Sequence, residues 1–191
     1  MEPQLLIASP QMKDPFFERT VVLVWHHDED GAIGVVVNRP LSEASALGVM
    51  PEGVGISIGD VLVVEEGQEL GEYASHPVNW GGPVDTDSGT LITTAPIEDG
   101  EGWVLPTGLA ITRSHDALLR VVRDGASLRL CLGYAGWGPG QLDREIAEGS
   151  WLFTEARPDL VFGGEAADCW ERAIATLGLT PEWVLMSPAD A

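Results

Sequence analysis

The chain has 191 residues and carries 30 acidic against 10 basic side chains, a formal net charge of −20, with 45% apolar residues. That length and apolar content suit one folded domain with a sizeable core and exclude a disordered chain. The charge argues against direct nucleic-acid binding, whose affinity rests on Lys and Arg neutralising phosphates, and against docking on anionic membrane surfaces.

Leu5–Ala8 reads as a short buried strand broken by Ser9-Pro10. Asp14-Pro15-Phe16-Phe17 suggests a one-turn helix capped by Asp14, with both phenylalanines in the core or on a lid. Arg19 suits a surface salt bridge. Thr20–Trp25 and Ala32–Val37 are β-branched and apolar, and Asp28-Glu29-Asp30-Gly31 between them signals a hairpin. His26, His27, Asp28 and Asp30 stand at its turn. They lack the ligand series of a Ca²⁺ loop, since Arg39 occupies its twelfth position, and a Zn²⁺ site would need ligands from elsewhere, so a solvated turn is expected.

Asn38-Arg39-Pro40 ends this hairpin. An arginine held there can fork onto a carboxylate or phosphate, or it can tie the turn internally. Ser42 is placed to cap a short helix through Leu47. Pro51–His76, rich in Gly and Glu, reads as a loop carrying one extra strand at Val61–Val64. Val78–Val84 reads as a strand entering a tight turn, where Gly81-Gly82 permits close backbone approach. Leu91–Ala95 and Leu109–Thr112 are further strands. Ser114 caps a helix to Arg123, with Leu118, Leu119 and Val122 as its buried stripe.

Leu128–Tyr134 feeds a glycine-rich junction, Gly133, Gly136, Gly138 and Gly140, that opens into a helical pattern with Pro139 in its first turn. Leu142 and Ile146 share one face of that helix, Glu145 points away from it, and Gly149 stops it. Free N–H groups at such a junction can bind an anion, or the glycines can simply let the loop pack under Tyr134 and Trp137. Trp151–Phe153 is a strand. Asp168 is expected to cap the last clear helix, whose apolar face is Cys169, Trp170, Ala173, Ile174 and Leu177, with Gly178 after it. Thr180-Pro181-Glu182-Trp183 starts a terminal turn.

Hairpins dominate the first half, so the pattern predicts an α+β fold with a mixed, mostly antiparallel sheet over residues 1–191. Named catalytic and cofactor motifs do not fit. G-x-G-x-x-G cannot be laid on the junction, Lys13 is the only lysine and no P-loop surrounds it, and G-x-S-x-G is absent. Ser114-His115-Asp116 are adjacent at a helix start and cannot face one another as a triad. Cys131 with His76 or His115 is a formal nucleophile pair, but nothing local lowers the thiol pKa. The two cysteines have no C-x-x-C spacing and are expected as buried free thiols. No metal or cofactor is expected. The opening residues lack a basic, then apolar, leader pattern and no apolar run reaches spanning length, so the expected location is cytoplasmic.

Four segments taken in order, Leu5–Pro10 with Asp14–Val22, Gly34–Leu41, Gly81–Val84 and Gly133–Leu142, resemble the bacterial YqgE/AlgH family over nearly the whole chain. The resemblance implies an α+β fold with a bifurcated sheet forming a pseudo-barrel, in a bacterial cytosolic protein. The family is largely uncharacterised, and one member's name links it to transcriptional regulation of alginate production. With no basic recognition helix in this chain, regulation is expected to act through a protein partner or a small anionic ligand. The expected binding surface is Asn38, Arg39, Gly82, Gly136, Trp137, Gly138 and Gly140. The alternative is an enzyme acting on an anionic metabolite, with Arg39 or Arg113 as clamp and an Asp or Glu as base.

Overall fold

The structure is a computed structural model that describes residues 4–46, 48, 57–64 and 69–179. Its centre is a curled, mostly antiparallel half-barrel sheet. The strands are β1 (Gln4–Ala8), β2 (Val21–Asp28), β3 (Gly31–Val36), β4 (Asn79–Trp80), β5 (Val84–Thr93), β6 (Gly102–Val104), β7 (Ala110–Thr112), β8 (Leu128–Trp137) and β9 (Trp151–Glu155). Eight of them run β6-β7-β5-β8-β3-β2-β1-β9, and β4 pairs in parallel with β8 beside that path. The helices are α1 (Leu41–Ala46), α2 (Ile58–Val61), α3 (His115–Arg123), α4 (Gln141–Ala147), α5 (Pro158–Phe162) and α6 (Cys169–Thr176).

Strand β8 joins the two halves. Its first part pairs with β5, Thr93↔Leu128 through Gly89↔Leu132, and its last part pairs with β3, Gly34↔Ala135 to Ala32↔Trp137. The strand turns at Gly133, whose φ is +77°. A Cβ there would stand 2.3 Å from the Gly82 carbonyl oxygen, and one on Gly82 would stand 2.1 Å from the Tyr134 carbonyl carbon. Only glycine permits both the dihedral and the approach. This corrects the expected loop from Gly133 onward: the strand runs to Trp137, because β3 supplies ladder partners for residues 135–137. Pro139 lies before α4, and Gly140, with φ +64°, takes the N-cap position.

Both faces of β1 and of the first half of β2 are covered, which is why these segments read as continuous apolar runs. Leu6, Ala8, Val22 and Val24 face one core with Leu41 of α1, Leu118 and Val121 of α3 and Leu142 of α4. Leu5, Ile7, Val21 and Leu23 face the other with Leu160 of α5 and Trp170 and Ile174 of α6. Trp170 also donates from Nε1 to the Ala8 carbonyl at 2.8 Å. Cys131 and Cys169 are buried and free, as expected, and burial pushes the Cys131 thiol up to about 12.

Several local expectations change. Asp14 does not open a helix: its Oδ1 accepts from Phe16 N at 2.8 Å and its carbonyl from Phe17 N and Glu18 N, closing a turn. Ser42 lies inside α1, which starts a residue earlier, and Leu47 lies outside the described residues. Within Pro51–His76, the described part holds α2 and a 3₁₀ turn at Gly71–Ser75, and residues 62–64 form no strand; Val63 faces solvent. The rest of that segment, 51–56 and 65–68, and the expected turn at Thr180–Trp183 lie outside the described residues. Ser114 caps α3 as expected, its Oγ accepting from Ala117 N at 3.1 Å, whereas Asp168 makes no side-chain cap bond.

Candidate functional site

The residues expected to form one binding surface fall into different surroundings. Asn38 and Arg39 follow β3 and are buried, and their polar atoms are committed to backbone. Asn38 Oδ1 accepts from Val21 N at 2.7 Å and its Nδ2 donates to the Arg19 carbonyl at 2.9 Å. Arg39 donates to the carbonyls of Pro15 (3.0 Å), Phe16 (2.5 Å) and Glu18 (2.6 Å), and its guanidinium lies 5.7 Å from the Trp80 ring centre. The hollow beside it is lined by Glu18 and Glu43 as well. Burial lowers the Arg39 pKa, and Glu43, Glu18 and Asp14 oppose that shift, so the guanidinium already has anionic neighbours.

The junction is similarly occupied. Gly138 N donates to Gln141 Oε1 at 3.1 Å, and Trp137 is buried. Glu145, expected to point away, receives Trp137 Nε1 at 2.9 Å and Trp151 Nε1 at 2.8 Å, while Gln141 Nε2 donates to its other oxygen at 2.8 Å. Gly82 lies under the β8 backbone. These arrangements give Asn38, Arg39, Trp137 and Gly138 internal partners, the reading that the sequence left open beside the anion site.

The hollow at Asn38 and Arg39 has a volume of about 380 Å³, and a second recess lies among the strands. A groove of about 470 Å³ runs between Trp25 and His26 of β2, Asp85 and Thr90 of β5, Trp103 of β6 and Tyr134 of β8. Ile33 and Arg113 complete it. A second arm of about 340 Å³ continues from His26, Ile33 and Tyr134 to Asp28 and Asp30 of the hairpin turn and to Gly136 and Trp137 of β8. Two of the expected site residues, Gly136 and Trp137, therefore border the groove together with Arg113, one of the two arginines expected as a clamp in the enzyme reading. Asn38, Arg39 and Gly82 do not line either arm.

The groove exists because helices cover only part of one sheet face. Trp25 and Tyr134 pack at the margin of the core that α5 and α6 cover. Beyond that margin the face emerges with Ile33 at 38% and Trp103 at 47% exposure. Trp25 is the extra residue of a bulge between Val24 and His26, and a second register shift follows Val84 in β5. Bulges of this kind re-aim side chains at strand ends. Trp25 and Trp103 meet with ring centres 5.8 Å apart, forming an aromatic wall.

Polar and charged groups rim that wall. Asp85 has φ +51°, uncommon for a non-glycine residue, and Arg113 Nη2 lies 3.3 Å from its Oδ2. His26 Nε2 lies 2.9 Å from Asp28 Oδ2. Among the described residues no group of three or more His, Cys, Asp or Glu side chains is placed to hold a metal ion, and no helix is long and apolar enough to cross a membrane. The sequence signal for the groove was slight: Trp25 and Tyr134 read as strand residues, and β6 with Trp103 had no pattern that marked it.

A family model described as AlgH-like matches residues 5–182. A UPF0301 protein of Paracoccus denitrificans is 39% identical, covering 97% of this chain and 93% of its own length. One of Myxococcus xanthus is 38% identical, covering 97% and 96%. Among solved structures, the AlgH protein of Pseudomonas aeruginosa, also a UPF0301 protein, superposes with a TM-score of 0.70 at 28% identity over 99% of this chain and 95% of that one. A Corynebacterium diphtheriae protein shares the fold with a TM-score of 0.68 at 24% identity, covering 96% and 90%.

Proposed function

The chain belongs to the AlgH-like family, whose curated relatives carry the name UPF0301, and on that premise we propose that it is a binding module that acts in regulation through a small ligand or a protein partner rather than by contacting DNA. The observation that carries this reading is the groove walled by Trp25, Trp103 and Tyr134, set on a sheet held from both halves of the chain. Its volume and its mixture of apolar wall and few polar groups are those of ligand sites. Arg113 faces Asp85 at 3.3 Å and His26 Nε2 lies 2.9 Å from Asp28 Oδ2, contacts that support recognition more than proton transfer. The net charge of −20 opposes direct contact with DNA.

A thermal-shift screen against nucleotides, phosphates, carboxylates, amines and uncharged aromatics tests it, because a ligand that binds only the folded chain raises the melting temperature. Gly136→Leu fills one arm of the groove: a Cβ there meets only Tyr134 Cε2, at 3.6 Å. Trp103→Ala removes part of the wall of the other. Hits lost in both variants are the expected result. Hits retained in both, or a DNA complex that survives physiological salt, would overturn the reading.

A second reading, an enzyme acting on a small anionic metabolite, draws on one observation: Arg113 shares the groove with Asp85 and His26. It requires turnover of a ligand found in the screen, with that turnover abolished in both Arg113→Ala and Asp85→Asn.

A further inference from the structure

We propose that the groove takes an organic cation, an ammonium or guanidinium carried on an apolar body, with its charge against the aromatic wall and the groove's aspartates as counter-charge. This deepens the binding reading above and rests on it. Two independent features of the groove point to the sign of the ligand.

The first is the wall. Trp25, Trp103 and Tyr134 line one recess, and Trp103 leaves about half of its surface open. Aromatic faces attract cations through the ring quadrupole, tryptophan most strongly, and the attraction grows as water is excluded. The second is the charge around it. Asp85 lines the main arm, and Asp28 and Asp30 line the other, against a single guanidinium, Arg113, which already faces Asp85 at 3.3 Å; Asp28 accepts from Asp30 N at 2.9 Å and lies 2.9 Å from His26 Nε2. The carboxylates therefore outnumber the fixed positive charge, and they do so in a molecule whose net charge is −20. A concave, partly apolar recess focuses such a field and concentrates cations in it. An anion would meet the same field as repulsion and would have to take Arg113 from Asp85. A neutral apolar ligand would use the wall alone and draw nothing from the acidic field.

The apolar body follows from the dimensions. A groove of about 470 Å³ is far larger than a bare ammonium, and Ile33 and the two indoles offer it apolar contact. An inorganic cation is not favoured, because its hard charge needs converging oxygen ligands, and the described residues hold no such cluster.

The test is calorimetric titration of the full chain at about 150 mM salt, where diffuse surface attraction is largely screened. Three probes with one aromatic body and different charge are compared: benzyltrimethylammonium, benzyl alcohol and phenylacetate. The expected result is saturable binding of the ammonium probe, about tenfold tighter than that of the other two. Trp103→Ala and Asp85→Asn should each weaken it, by about fivefold or more. Two variants are used because Trp103 also touches Trp25, whereas Asp85→Asn preserves shape and removes only charge.

Tighter binding of phenylacetate or benzyl alcohol, lost in Trp103→Ala, would overturn the cation assignment and leave the groove as a ligand site. Ammonium binding that neither substitution weakens would overturn it as well, since the attraction would then belong to the acidic surface at large. Absence of binding by all three probes also overturns it, and the wider screen above then judges the groove itself.

Discussion

The guanidinium of Arg39 reaches three carbonyls, those of Pro15, Phe16 and Glu18, and so holds the turn after β1 against the end of β3. A planar fork with five N–H donors suits that task, and an ammonium does not. Removing the side chain leaves buried acceptors without partners and takes a cation from beside Trp80. Arg39→Ala is therefore expected to lower unfolding free energy by about 2–4 kcal/mol in urea denaturation. Arg39→Lys should recover less than half of that loss. If Arg39→Ala were neutral, the fork would not be holding the turn, and an external anion would become the better account of this residue.

At the scale of elements, β8 carries two opposite demands on glycine. Gly133 has φ +77° and faces the Gly82 carbonyl, so a Cβ meets both a forbidden dihedral and a backbone atom at 2.3 Å. Gly136, three residues on, has no left-handed dihedral, and a Cβ there would meet only Tyr134 Cε2, at an ordinary contact distance of 3.6 Å. Gly133→Ala should cost about 3 kcal/mol or more, through strain and displacement of the β4–β5 connection. Gly136→Ala should be neutral or stabilising by up to about 1 kcal/mol, by lowering the entropy of the unfolded chain. Chemical denaturation of the two variants side by side checks this. Equal effects would mean that the bend at Gly133 does not depend on glycine.

For the whole molecule, 30 acidic against 10 basic residues make self-repulsion a general cost of compactness. Raising salt from about 10 to about 150 mM shortens the screening length from about 30 to about 8 Å. The melting temperature at neutral pH should rise by several degrees over that range, as read by scanning calorimetry. A fall would mean that exposed pairs such as Arg113–Asp85 outweigh the net repulsion. On the acid side, hydrogen bonds from Arg120 and Arg157 hold the Glu101 and Asp159 carboxyls below their ordinary values. A carboxylate with a lowered folded-state pKa contributes stability above its unfolded value and loses it as pH falls through the folded one. Acid unfolding should therefore steepen below about pH 4.5, and Arg120→Gln should reduce the part of that slope belonging to Glu101, which the Glu98 N–H and Ser114 hydroxyl also hold down.

The sequence by itself determined the local elements whose energetics are local. The Asp28–Gly31 turn, the Ser114 cap and the unbroken apolar runs of β1 and β2 each follow from neighbours in the chain. Alternation could not show that β8 continues past Tyr134, because its partners for residues 135–137 come from β3, about a hundred residues earlier. Nor could it choose between an external anion and internal carbonyls for Arg39, since a guanidinium serves both equally and only the approach of residues 15–18 decides. The groove is the extreme case. Trp25, Asp85, Trp103 and Tyr134 come from four strands with no common spacing. They share a wall because the sheet curls and α5 and α6 cover only part of its face, and long-range packing alone sets where that cover ends.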